Sequence, residues 1–229
     1  MRAWTTKLIA AAGLVCALVA PAAAGPAIDW DPVFFYGAGI TPTNSPLNAE
    51  LIGVGTVSSF GPPLEFLNPN IGPYEYTIYV YGLFSQGTSP GPFYVTNYNG
   101  GFIEIREDTT PDASYDPNPP AGGVPGDFQD GTVILSGQFN SFFTQINGLS
   151  TFNTGNAEGT IQWTGGTLLP FTGQGGEPCP GLFTGGLTYY PPVMAGFPGY
   201  VYRHDGKIDF NCPTPTHNQT WGKVKSQYR

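Results

Sequence analysis

Residues 74–84 read Tyr-Glu-Tyr-Thr-Ile-Tyr-Val-Tyr-Gly-Leu-Phe, and this run decides the fold class. Alternation puts Tyr74, Tyr76, Ile78 and Val80 on one face and Glu75, Thr77, Tyr79, Tyr81 and Leu83 on the other. β-Branched and aromatic residues at period two form strands, and a strand apolar on both faces belongs in the middle of a sheet covered on both sides. Core packing is the expected role of the tyrosines; an exposed stacking platform for sugar rings is the alternative.

The same composition extends outward from this strand. Residues 27–36 carry Trp30, Phe34 and Phe35 around Asp29 and Asp31, as an edge strand or an aromatic plug, and residues 50–60 alternate as a second strand. Further strands are expected at 132–139, 142–146 and 159–164, with 167–171 and 187–190 continuing the pattern. Two turn signals predict tight hairpins, because Asn-Gly and Asp-Gly supply the positive φ angles such turns need. One is Asn99-Gly100-Gly101 between strands 93–98 and 102–107; the other is Asp205-Gly206 between 200–203 and 207–210.

With 33 glycines and 24 prolines the chain approaches the composition of disordered proteins, but 14% aromatic residues give it apolar surface to pack. About ten short strands with turn signals point to an all-β fold, an antiparallel β-sandwich of jelly-roll-like form, with a partly closed barrel as the alternative.

Arg2 and Lys7 precede an apolar run from Leu8 to Ala20 and the small residues 22–25, the layout of a secretory signal peptide cleaved after Ala24. The run is shorter than the roughly 20 residues a spanning helix needs, so no membrane span is expected in the mature chain. The expected organisation is a signal peptide at 1–24, one domain at 25–212, and a Pro/Thr spacer with a basic aromatic tail at 213–229. Arg106 is the only basic residue between Lys7 and Arg203. Binding to nucleic acid releases counterions through clustered Lys and Arg, and that requirement is not met.

Cys179 and Cys212 remain after cleavage. In an oxidising compartment they are expected to form a disulfide closing a loop of about 33 residues, worth roughly 3 to 4 kcal/mol. Free thiols and a metal site are the alternatives.

Chemistry is expected in the long acidic, Pro-rich loop at 104–131, which holds seven of the sixteen acidic residues. Asp112, Ser114, Asp116 and Asn118 place oxygen ligands at every second position, as hard cations such as Ca²⁺ require, and Asp127 and Asp130 add carboxylates from the far end. Pro117 and Gly123 stand where an EF-hand would need its turn glycine and bidentate glutamate, so that motif is absent. A solvated acidic loop is the simpler alternative. Glu104 and Arg106 share a strand face and are expected to be solvated.

In the tail, Trp221, Lys223, Lys225 and Tyr228 form a basic aromatic tag that invites a docking or sorting role, with a frayed terminus as the simpler alternative. The layout resembles exported bacterial β-rich proteins that carry C-terminal sorting signals, although the Pro-Glu-Pro motif and apolar anchor of the best-known class are missing. The resemblance implies a secreted or cell-surface location and an envelope or polysaccharide partner.

The functional expectation is a non-catalytic, surface-associated structural or adhesive protein. A Ca²⁺-dependent carbohydrate-binding module is the alternative. A further alternative is a polysaccharide hydrolase drawing paired carboxylates from Glu104, Glu158 and Asp130. His204 beside Asp205 suggests no triad, since neighbours at a turn point apart and no nucleophile motif accompanies them.

Overall fold

The computed structural model describes residues 26–70, 73–113, 126–149, 154–174, 176–189 and 200–212. The expected signal peptide and the tail with Trp221, Lys223, Lys225 and Tyr228 lie outside these residues. The strands are β1 (Ile28–Tyr36), β2 (Glu50–Thr56), β3 (Ser59–Phe60), β4 (Glu75–Ser89), β5 (Phe93–Asp108), β6 (Thr132–Asn147), β7 (Thr154–Gly165), β8 (Gly173–Gln174), β9 (Glu177–Pro178), β10 (Gly181–Tyr189) and β11 (Tyr202–Phe210). Two short 3₁₀ turns, Gly126–Phe128 and Leu169–Phe171, interrupt the connections.

All pairings are antiparallel, in the order β1-β2-β4-β5-β6-β7-β10-β11, and β11 then pairs back onto β1. The all-β expectation holds, but the β-sandwich of jelly-roll type is corrected to a closed eight-stranded barrel. The physical reason is the length of the strands. β4, β5 and β6 run 15, 16 and 16 residues, and strands this long coil the sheet until its first and last strands meet.

An eight-stranded barrel is just wide enough for side chains to fill it. Trp30 and Phe35 from β1, Ile78 and Leu83 from β4, Ile103 and Ile105 from β5, Phe139 and Phe142 from β6, and Phe183 from β10 are buried together inside. The outward positions Thr160, Gln162 and Thr164 of β7 and Asp205 and Lys207 of β11 are polar and solvent-facing. These polar outward positions of β7 and β11 differ from the apolar outer band of a membrane-spanning barrel. No helix among the described residues is long and apolar enough to cross a membrane.

The strand that opened the sequence reading splits as its alternation requires. Tyr76, Ile78 and Val80 are buried within, while Tyr79 and Tyr81 stand outside, half-exposed. A register shift against β2 between Leu51 and Gly53, with Gly82 at φ 70°, reverses the parity and turns Leu83 inward. The outer side is covered over part of its length only. Phe34 and Tyr36 of β1 and Ile52 and Val54 of β2 form a second apolar cluster outside the barrel, closed over by Phe128 and Tyr200.

Neither expected hairpin exists. Asn99-Gly100-Gly101 lies within the continuous strand β5, and Asp205-Gly206 within β11. Gly101 is needed because Leu83 fills the space its side chain would take: a Cβ there would come within 2.4 Å of Leu83 Cδ2. Likewise 132–139 and 142–146 are one strand, carried through by an irregularity between Phe139 and Ser141.

Candidate functional site

On β5, Ile103 and Ile105 point into the barrel, so Phe102, Glu104 and Arg106 face outward beside Tyr79 and Tyr81 of β4. Tyr79 and Tyr81 stack with centroids 4.6 Å apart, and Tyr81 stacks on Phe102 at 5.4 Å. Phe102 ends this row and is 43% exposed. Tyr81 Oη donates to Glu104 Oε1 at 3.1 Å. Burial and then the Glu104 carboxylate push the Tyr81 hydroxyl up, while burial and then Glu50 push Tyr79 up to about 12.

Arg106 links the row to the loop. Its Nε and Nη2 donate to Glu104 Oε2 at 3.0 and 2.6 Å, and its Nη1 donates to the Gln129 carbonyl and, at 3.4 Å, to those of Asp130 and Gly131. The pair is largely covered, at 17% exposure for each side chain, so the expected solvated face is replaced by a half-buried ion pair that fastens the loop's far end. The near end is fastened by Glu75, whose Oε2 accepts from the backbone N–H of Asp112 at 3.3 Å and of Ala113 at 2.9 Å. Thr77 adds a bond of 3.4 Å to the Phe128 carbonyl.

These anchors bring the two ends of the loop together. Carboxylate oxygens of Asp108, Asp112 and Asp130 lie within 4.8 Å of one another. Gly131, at φ 69°, allows the approach: a Cβ there would meet the Glu107 carbonyl oxygen at 2.6 Å and Asp108 Cβ at 3.1 Å. Partial desolvation, then Asp112 and Asp108, raise the Asp130 carboxyl above its ordinary range. Of the expected ligands, Asp112 and Asp130 are therefore adjacent, while Asp127, half-buried, is outside the group. Ser114, Asp116 and Asn118 lie outside the described residues. Asp108 was not among the expected ligands. Its signal was parity, because it continues the outward row Glu104, Arg106 to the last residue of β5.

Of the carboxylates proposed for a hydrolase, Glu104 and Glu158 do not converge. Glu104 is level with Ser136 of β6 and Glu158 with Phe143, seven positions further along the same strand. At about 3.3 Å per residue they are roughly 20 Å apart, against the 5 to 9.5 Å a glycosidase pair needs. Glu158 instead accepts from Asn156 Nδ2 at 2.7 Å. His204 and Asp205 point apart as expected, the first wholly buried and the second exposed.

The expected disulfide is formed between Cys179 and Cys212. It lies at the barrel end from which the acidic loop springs, since β5 and β11 end there and β6 and β10 begin there. No protein family, curated protein or solved structure matches the chain.

Proposed function

We propose that the chain is a non-catalytic, exported adhesive protein whose contact surface is the outer wall of β4 and β5. The observation that carries this is the row Tyr79, Tyr81 and Phe102, set against the polar outer walls of β7 and β11. Exposed aromatic surface on an otherwise polar wall marks a site of interaction. The interior is occupied by its own side chains, which favours recognition on the outside. The partner class is envelope polysaccharide. The stacked rings use most of their faces on each other, so a sugar ring docks on Phe102 at the end of the row, with Glu104 and Glu50 nearby as acceptors for its hydroxyls.

The test is co-sedimentation with isolated cell envelopes and insoluble polysaccharides. Phe102→Ala is expected to weaken retention at least tenfold while lowering the melting temperature by no more than about 5 °C, because Phe102 is 43% exposed and gives up only its stacking on Tyr81. Equal retention of both proteins would remove the row as the contact surface.

A second reading, Ca²⁺-dependent carbohydrate binding, is favoured by the grouping of Asp108, Asp112 and Asp130. Three carboxylates supply up to six oxygens, within the range Ca²⁺ uses, and a bound cation relieves their mutual repulsion. Ca²⁺ at a hundred times its dissociation constant is expected to stabilise the fold by about 2.7 kcal/mol, reversed by EDTA. Asp130→Asn is expected to abolish the shift, and a flat titration of the unaltered protein leaves the adhesive reading alone.

A further inference from the structure

We infer that the seam between β11 and β1, where the barrel closes, is an acid-sensitive latch held shut by neutral His204. The imidazole is completely buried inside the wall, level with Val33 across the seam. It stacks on Phe183 of β10 at 4.9 Å with the rings almost parallel and meets the edge of Phe35 of β1 at 5.7 Å. Its Nδ1 accepts a hydrogen bond from Trp30 Nε1–H at 3.1 Å, so the ring's proton sits on Nε2, which faces the backbone of Gly185. Nε2 backs onto Gly185, and Cε1 onto Gly206; a Cβ at those glycines would come within 2.6 and 2.4 Å of them.

A second proton has one place to go, Nδ1. There it turns the acceptor of the Trp30 indole into a second donor facing a donor, and it puts a full charge among apolar rings. No charged group faces the imidazole from the strands packed against it. Asp29 and Asp31 of β1 and Arg203, Asp205 and Lys207 of β11 lie on the outer side of the seam, where Arg203 pairs with Asp31, and β10 contributes threonines there. Burial pushes the His204 imidazole down to about 3. The ladder is also interrupted close by, since the β1–β11 register shifts between Trp30 and Val33.

The sign follows from where the proton binds. The open seam takes it at the ordinary value near 6.5 and the closed seam does not, so closure is complete above pH 6.5 and is lost progressively as pH falls toward 3. Each pH unit in that window multiplies the open population about tenfold.

Hydrogen exchange of the full chain, followed by mass spectrometry at pH 7, 6 and 5 and corrected for chemical exchange, reads this directly. Amides of β1 and β11 are expected to open about tenfold more per unit below pH 6.5, with the centres of β5 and β6 unchanged. His204→Phe is expected to abolish the response. Trp30→Phe removes the donor that opposes protonation and keeps an aromatic ring, so the acid response keeps its onset but levels off at a higher pH and is weaker at pH 5; it decides the matter if the first variant fails to fold. A seam that ignores pH, strands that all open together, or a response surviving in His204→Phe overturns the proposal.

Discussion

Gly206→Ala is expected to destabilise the barrel by about 3 kcal/mol, seen as a lower urea midpoint with an unchanged slope. The position looks harmless in sequence, because Asp205-Gly206 reads as a turn, where a small residue serves conformation alone. In the structure Gly206 sits in the middle of β11, opposite Gly185 of β10. A Cβ there would lie 2.4 Å from His204 Cε1 and 2.7 Å from the Thr184 carbonyl oxygen. The imidazole cannot retreat, being stacked on Phe183 and bonded to Trp30, and the carbonyl belongs to the neighbouring strand. Gly186, one position from Gly185 on the same strand, has nothing within 4 Å of its would-be Cβ. Gly186→Ala is therefore expected to change stability by no more than about 1 kcal/mol and serves as the control. Equal losses at the two sites would show that backbone entropy, and not the packing of His204, sets the requirement.

The same glycines show why the sequence led to the wrong closure. Period-two alternation around residues 74–84 is common to sandwiches and barrels; it grouped Tyr76, Ile78 and Val80 on one face, which turns inward, but the core packing expected for Tyr79 and Tyr81 on the other face is not found, since they stand half-exposed outside. What separates the two folds is strand length and the pairing of β1 with β11, which joins residues more than 160 positions apart. Reading Asn99-Gly100-Gly101 and Asp205-Gly206 as turns cut two long strands into four short ones and produced the sandwich. These glycines do a different job, leaving room for Leu83 and His204 to fill a narrow interior. Gly101 makes space for a side chain from another strand, and that requirement leaves no signal in its own neighbours.

The candidate site was legible in part for a similar reason. The concentration of acids marked the loop, and Asp112 and Asp130 do meet at its base. Asp108, the third member, arrives through strand parity. Arg106 arrives through a bond to backbone carbonyls 23 to 25 residues away, which no spacing in the sequence announces. Composition located the chemistry, and tertiary anchors selected its members.

Removing the disulfide by the double change Cys179→Ser and Cys212→Ser is expected to cost roughly 3 to 4 kcal/mol and to lower the melting temperature by about 10 °C. The bridge joins residues 33 apart, so its loss returns the entropy of that loop to the unfolded chain. The folded barrel itself should change little. β10 and β11 remain paired from Gly181↔Phe210 to Tyr189↔Tyr202, and backbone bonds from Cys179 to Thr172 at 3.0 Å and from Asn211 to Pro180 at 2.8 Å hold the same corner. Circular dichroism at 25 °C should thus be unaltered, and reduction of the unaltered protein should give the same melting temperature as the double variant. Coincident melting of oxidised, reduced and substituted proteins would show that the bridge contributes nothing. The bridge ties β11 to β10, on the side of β11 away from the β1 seam. Its loss should therefore add to the acid opening at His204 without altering it, as expected of elements that share no partner. A seam response that disappears with the disulfide would instead make the two ends of β11 one cooperative unit.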